Sequence, residues 1–182
     1  MDRFALFSEC LLTGVWIACA ALPVVTFPAA FAAGTRHLRR HLAGEHGGLR
    51  EFAADARTAA RGGWAVGVTV LAAGALLLLD LRAVRAGLPG GPFVGAVGIL
   101  AMIGLLVAVL RAASCWEPGA SWRTLLAEGG RDTVRDPAGS LLLVCGMAVV
   151  VLSGALVLPL AVPVAGAVAA AATAVRERRL SR

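Results

Sequence analysis

From Ala86 to Leu110, and again from Pro137 to Val175, the chain carries no charged side chain. A helix needs about 20 apolar residues to cross the hydrocarbon of a bilayer, and runs this long are hard to bury inside a small water-soluble fold. The charge lies almost entirely in residues 34–63, 111–136 and 176–182, the alternation expected of loops between spans. Composition agrees: 59% of the 182 residues are hydrophobic, 15% are charged and the mean hydropathy is +0.82, against about 45–50% apolar in soluble domains. The expected fold class is all-α, a polytopic transmembrane helix bundle of about five spans forming one domain over residues 1–182. The spans read as about 5–33, 64–84, 92–112, 139–158 and 160–175.

The first span is too long for one straight helix and contains Pro23 and Pro28. Each proline lacks a backbone donor and clashes with the preceding turn, so the first helix should be broken at Pro23/Pro28, into Ala5–Leu22 and Pro28–His41. Thr26 supplies the hydroxyl between the two prolines. It either binds a ligand, as unwound segments do in transporters, or satisfies a carbonyl that the prolines release. The apolar run exceeds the 7–15 residues of a signal-peptide core, so it is expected to stay as a membrane element. Folded back as a re-entrant hairpin, the same segment would move the N-terminus to the opposite side. At the other end, Leu158–Pro163 permits only a tight hairpin between the last two spans. Span five is built of small residues that let helices approach. Gly91 and Gly95 form a GxxxG pair at the start of span three.

All 17 basic residues are Arg, and 14 of them fall in the three charged segments. Under the positive-inside rule these segments share the cytoplasmic side, which gives a bacterial inner-membrane protein with its C-terminus in the cytoplasm. Leu49, Phe52, Ala53, Ala56 and Ala60 recur at three and four residues, with Arg50, Glu51, Asp55, Arg57 and Arg61 between them. That is an amphipathic helix over about 49–61, bounded by Gly47-Gly48 and Gly62-Gly63. Arg50, Phe52, Arg57 and Arg61 are its candidate contacts, with a cytoplasmic partner or with anionic lipid.

Catalytic chemistry finds little to stand on. There is no GxSxG, HExxH, P-loop or dinucleotide fingerprint, so no catalytic residue and no cofactor are expected. His37 and His41 lie at i, i+4, but Arg36, Arg39 and Arg40 surround them and would repel a cation; no metal site is expected. The four Cys lack ligand spacing. Asp80 and Glu9 lie near span ends, where each can reach an interface. Glu128, Asp132 and Asp136 interleave with Arg131 and Arg135 as a solvated helix face. The net charge of +6 caps apolar segments and does not form a nucleic-acid module.

Trp16, then Leu22-Pro23-Val24-Val25-Thr26, Pro28-Ala29, Ala32-Ala33, a basic stretch and Phe52 together resemble the YesL-like family of bacterial integral membrane proteins. The likeness covers about residues 4–60; Thr13 stands where the family has Asn, and Phe27 where it has Gly. Members are often encoded beside sugar-uptake ABC transporters and glycan-degrading enzymes. The resemblance therefore implies an accessory part in carbohydrate import or its regulation, with an ABC transporter permease as partner besides the lipid bilayer. A stand-alone bundle that organises or senses the membrane is the alternative, and a membrane-embedded enzyme acting on a lipid-linked substrate is a third reading.

Overall fold

The computed structural model describes residues 3–45, 47–87 and 90–156, together with 168, 169, 171 and 172. Among these it contains six α-helices: α1 Arg3–Ala20, α2 Phe27–Leu42, α3 Leu49–Arg85, α4 Gly91–Ser114, α5 Trp122–Arg135 and α6 Pro137–Leu156, with a single 3-10 turn at Val24–Thr26 between α1 and α2. Two of them, α3 and α4, are long and apolar enough to cross a membrane, and a third crossing arises if α5 and α6, bent by 105° at their junction, count as one. A helical bundle with such helices belongs in a membrane.

The centre of the bundle is α2. Pro28 occupies its first turn, where a missing N–H costs no hydrogen bond, and Arg39, Arg40 and His41 occupy its last turn, where cations favour the negative end of the helix dipole. Every residue from Pro28 to Thr35 is buried, against α1, α3 and α4. Alanine and glycine make that possible, since short side chains let backbones approach closely. A Cβ added at Gly34 would lie 2.4 Å from Ile17 Cδ1 and 3.3 Å from Thr13 Cγ2, and Trp16 meets His37 edge-on at 5.1 Å between ring centroids. These pairs place α1 antiparallel beside α2. Within the bundle, residues 3–42 thus form a helical hairpin with its corner at the 3-10 turn.

The next helix departs from the expected division. α3 does not stop at Gly62-Gly63 but runs unbroken for 37 residues, about 55 Å at 1.5 Å per residue. The amphipathic segment and the following apolar span are therefore one rod. Its glycines serve packing: a Cβ at Gly62 would come within 2.6 Å of Trp122 Cδ1, and one at Gly63 within 3.3 Å of Ala29 Cβ. At Gly67 the contact is with backbone, because a Cβ there would fall 1.9 Å from the Val25 carbonyl oxygen. The α1–α2 corner thus rests directly on α3. Gly48 starts the helix, its N–H donating to the Glu51 carboxylate at 2.8 Å. That bond holds the exposed Glu51 below the usual carboxylate range. A depressed pKa means this contribution is present at neutral pH and lost as pH falls through the lowered value.

Gly90, at φ +82°, turns the chain into α4, which runs back along the second half of α3. The GxxxG pair lies on this contact: a Cβ at Gly91 would meet Val84 Cα at 3.1 Å, and one at Gly95 would meet Val84 Cγ2 at 3.2 Å. α4 continues to Ser114, so Arg111 is a buried residue inside a helix and not part of a loop over 111–136. Most of that segment is itself helical, as α5. Asp136 precedes Pro137 and leaves the helical region, with φ −123° and ψ 79°, as the residue before proline is driven to do; the bend between α5 and α6 follows. The hairpin expected at Leu158–Pro163 lies outside the described residues, as does most of span five. Val168, Ala169 and Ala172 are buried, and a Cβ at Gly146 of α6 would meet Val168 Cγ2 at 3.1 Å.

Candidate functional site: an arginine-rimmed groove beside a buried charge layer

The sequence scatters its arginines along 34–63 and 111–136, and the fold gathers them at one end of the bundle. Arg36 and Arg40 of α2 both reach Asp55 of α3, Arg40 at 3.2 Å. Asp55 is 7% exposed, so it is not one of the solvated charges of the amphipathic segment. It falls on the same face as Phe52 and Ala59, at helical spacing. Arg39 donates to the carbonyls of Ser114 and Trp116, the latter at 2.9 Å, which satisfies acceptors that α4 leaves open at its C-terminus. Arg111 donates to the Asp136 carboxylate at 3.1 Å and to the Ser140 hydroxyl at 3.1 Å, tying α4 to the α5–α6 corner. Each of these guanidiniums holds two helices together.

Arg61 and Arg123 are different. Both are exposed, and among the described residues neither is paired with a carboxylate. They rim a groove of about 430 Å³ between α3 and the α4–α5 connection, together with the hydroxyl residues Thr58 and Ser121. Its aromatic lining is Trp116 and Trp122, both buried. Trp122 is fixed there by its indole N–H, which donates to the Ala59 carbonyl at 3.0 Å, and by the space that Gly62 leaves for its ring. Ser121 is the N-cap of α5 and makes no side-chain capping bond, so its hydroxyl leaves the first amides of this 14-residue helix uncapped, and Ser121, Trp122 and Arg123 all line the groove. Chemically the arrangement offers two cations, two hydroxyls and a helix N-terminus above an apolar surface, a combination suited to an anion.

The sequence candidates divide around this site. Arg61 is in the groove; Arg50 and Arg57 are exposed on the same helix but do not line it. Phe52 faces the interior of the bundle: it is 4% exposed and packs against Trp16 at 5.5 Å between ring centroids. An aromatic side chain at i+3 from Leu49 belongs to whichever face the neighbouring helices cover, and here α1 and α2 cover it. Pro23, Thr26 and Pro28 lie together at the α1–α2 corner. The Thr26 hydroxyl is 2.6 Å from the Ala20 carbonyl and 2.7 Å from the Pro23 carbonyl, so its one hydrogen serves acceptors at the end of α1. Asp80 lines a separate small crevice between α3 and α4, with Leu77, Gly98 and Met102.

Trp116, Trp122 and Arg123 escaped the sequence reading. The available signal was the pair of Trp residues flanking a short loop between an apolar helix and an amphipathic one, the usual placing of interfacial anchors. The chain matches no family model, no curated protein and no solved structure.

Proposed function

We propose that this chain is a non-catalytic accessory protein of the bacterial inner membrane that assists carbohydrate import by docking against an ABC transporter permease. The observation that carries the non-catalytic part is the internal use of its buried and half-buried charge: Arg36 and Arg40 on Asp55, Arg39 on the end of α4 and Arg111 on Asp136 join helices. Such pairing suits a rigid platform. The link to sugar uptake rests on the resemblance over residues 4–60 to the YesL-like family.

In this reading α3 and α4 cross the bilayer, followed by α6 and the segment 160–175, with the Arg-rich end and the C-terminus in the cytoplasm. The α1–α2 hairpin enters from that same side. Its corner meets α3 at Gly67, six residues past Arg61, the last charge before the apolar run. At 1.5 Å per residue the corner therefore reaches only about 9 Å beyond that level, too shallow to cross. Four crossings and a hairpin replace five spans. The apolar side chains exposed on α3 and α4, among them Leu76, Leu79, Phe93 and Leu100, face acyl chains or the spans of the permease.

The test is quantitative mass spectrometry of the tagged chain purified in mild detergent from cells grown on different sugars. Enrichment of a sugar ABC permease over an unrelated membrane protein is the expected result. Recovery of the chain alone under every carbon source, after crosslinking in the native membrane, would leave the stand-alone membrane bundle as the better account.

A further inference from the structure

We infer that the groove between α3 and α5 binds the phosphodiester headgroup of an anionic phospholipid, held by Arg61 and Arg123. Four of the arginines at this end of the bundle, Arg36, Arg39, Arg40 and Arg111, are engaged within the fold. Arg61 and Arg123 have no carboxylate partner among the described residues, yet they converge on one cavity. The amides at the start of α5 add oriented donors at the same place, and helix N-termini with guanidiniums are a recurrent solution for phosphate. Glu117, the carboxylate of the 115–121 loop, is exposed and does not line the groove.

A lipid suits this site better than a free phosphate for two reasons. The groove includes Gly62, the first residue of the uncharged run of α3, which puts it where headgroups lie if α3 crosses the bilayer. Its lining also mixes the two chemistries, the polar Arg61, Arg123, Thr58 and Ser121 with the aromatic Trp116 and Trp122. A phosphodiester joined to glycerol and acyl chains combines the same chemistries, and Trp favours that depth. The inference rests on the membrane placement of α3 and α4, not on a transporter partner, so failure to recover a permease leaves it intact.

The experiment titrates the full chain in detergent with phosphatidylglycerol, phosphatidylcholine and inorganic phosphate separately, counting bound molecules by native mass spectrometry. Wild type should retain phosphatidylglycerol, and R61Q/R123Q should bind it about tenfold more weakly or worse, since each surface arginine contributes severalfold to anionic-lipid affinity. R61K/R123K, which keeps both charges, should retain most of the binding. R50Q/R57Q removes two equally exposed arginines of the same helix outside the groove and should stay within about twofold of wild type. Saturable binding of inorganic phosphate lost in R61Q/R123Q, without retention of phosphatidylglycerol, would overturn the lipid assignment and leave a soluble phosphate as ligand. Equal losses in R50Q/R57Q and R61Q/R123Q would overturn the site itself, as would unchanged binding in R61Q/R123Q.

Discussion

Gly67→Ala is expected to be the most damaging single methyl group that can be added to this chain. The new Cβ would lie 1.9 Å from the Val25 carbonyl oxygen, 2.7 Å from its carbon and 2.9 Å from Val25 Cα. All three are backbone atoms, so no rotamer change relieves the overlap, and either the corner lifts off α3 or α3 bends. Overpacking in cores typically costs about 1–3 kcal/mol; a backbone collision belongs at or above the top of that range. The measurement is the melting temperature and monodispersity of the purified variant, set against two others. Gly34→Ala meets only side chains, Ile17 Cδ1 at 2.4 Å and Thr13 Cγ2 at 3.3 Å, and these can shift, so a smaller loss is expected. Gly104→Ala has nothing within 4 Å and should melt like wild type. Equal melting of the Gly67 and Gly104 variants would show that the corner does not rest on α3.

Asp55→Leu should be nearly as costly, for an electrostatic reason. Its carboxylate is the shared partner of Arg36 and Arg40, whose side chains are 20% and 26% exposed. Removing one member of a buried pair strands the other charge, at about 3–5 kcal/mol when burial is complete. Residual exposure of both arginines lets water repay part of this, so about 2–3 kcal/mol is expected. Stranded charge makes a further claim that lost packing does not: Arg36→Met in the Asp55→Leu background should recover part of the loss. Denaturation of the single and double variants in the same detergent measures it, and strictly additive losses would contradict the pairing.

These two residues also show what the sequence could and could not disclose. Helix content and apolar segments were legible because they depend on local periodicity and on long runs without charge. The GxxxG pair was legible as a packing motif, and it packs against Val84. Asp55 was not, because alternation of apolar and charged residues on a helix shows two faces but not which neighbours cover them. Once α2 brings Arg36 and Arg40 beside α3, the best place for an aspartate is on the covered face, next to Phe52. Gly62-Gly63 misled for a related reason. Glycine signals a helix end in isolation, yet it is also what a helix uses to admit a tryptophan from another element, and the Trp122 ring lies 60 residues further along the chain. The groove depends on that same long-range contact. Of its lining, only Arg61 could be singled out beforehand.

Labelling tests directly whether the first segment crosses the membrane or the first two helices lie on the Arg-rich side, as the proposed topology has it. In a cysteine-free background, single cysteines would be placed at Arg3, Arg50, Ala86 and Arg123 and treated with a membrane-impermeant maleimide in intact cells with a permeabilised outer membrane. The account predicts labelling at Ala86, in the turn after α3, and protection of Arg3, Arg50 and Arg123 until the inner membrane is opened. Labelling of the cysteine at position 3 in intact cells, with positions 50 and 123 still protected, would mean that α1 crosses the bilayer and would contradict the hairpin.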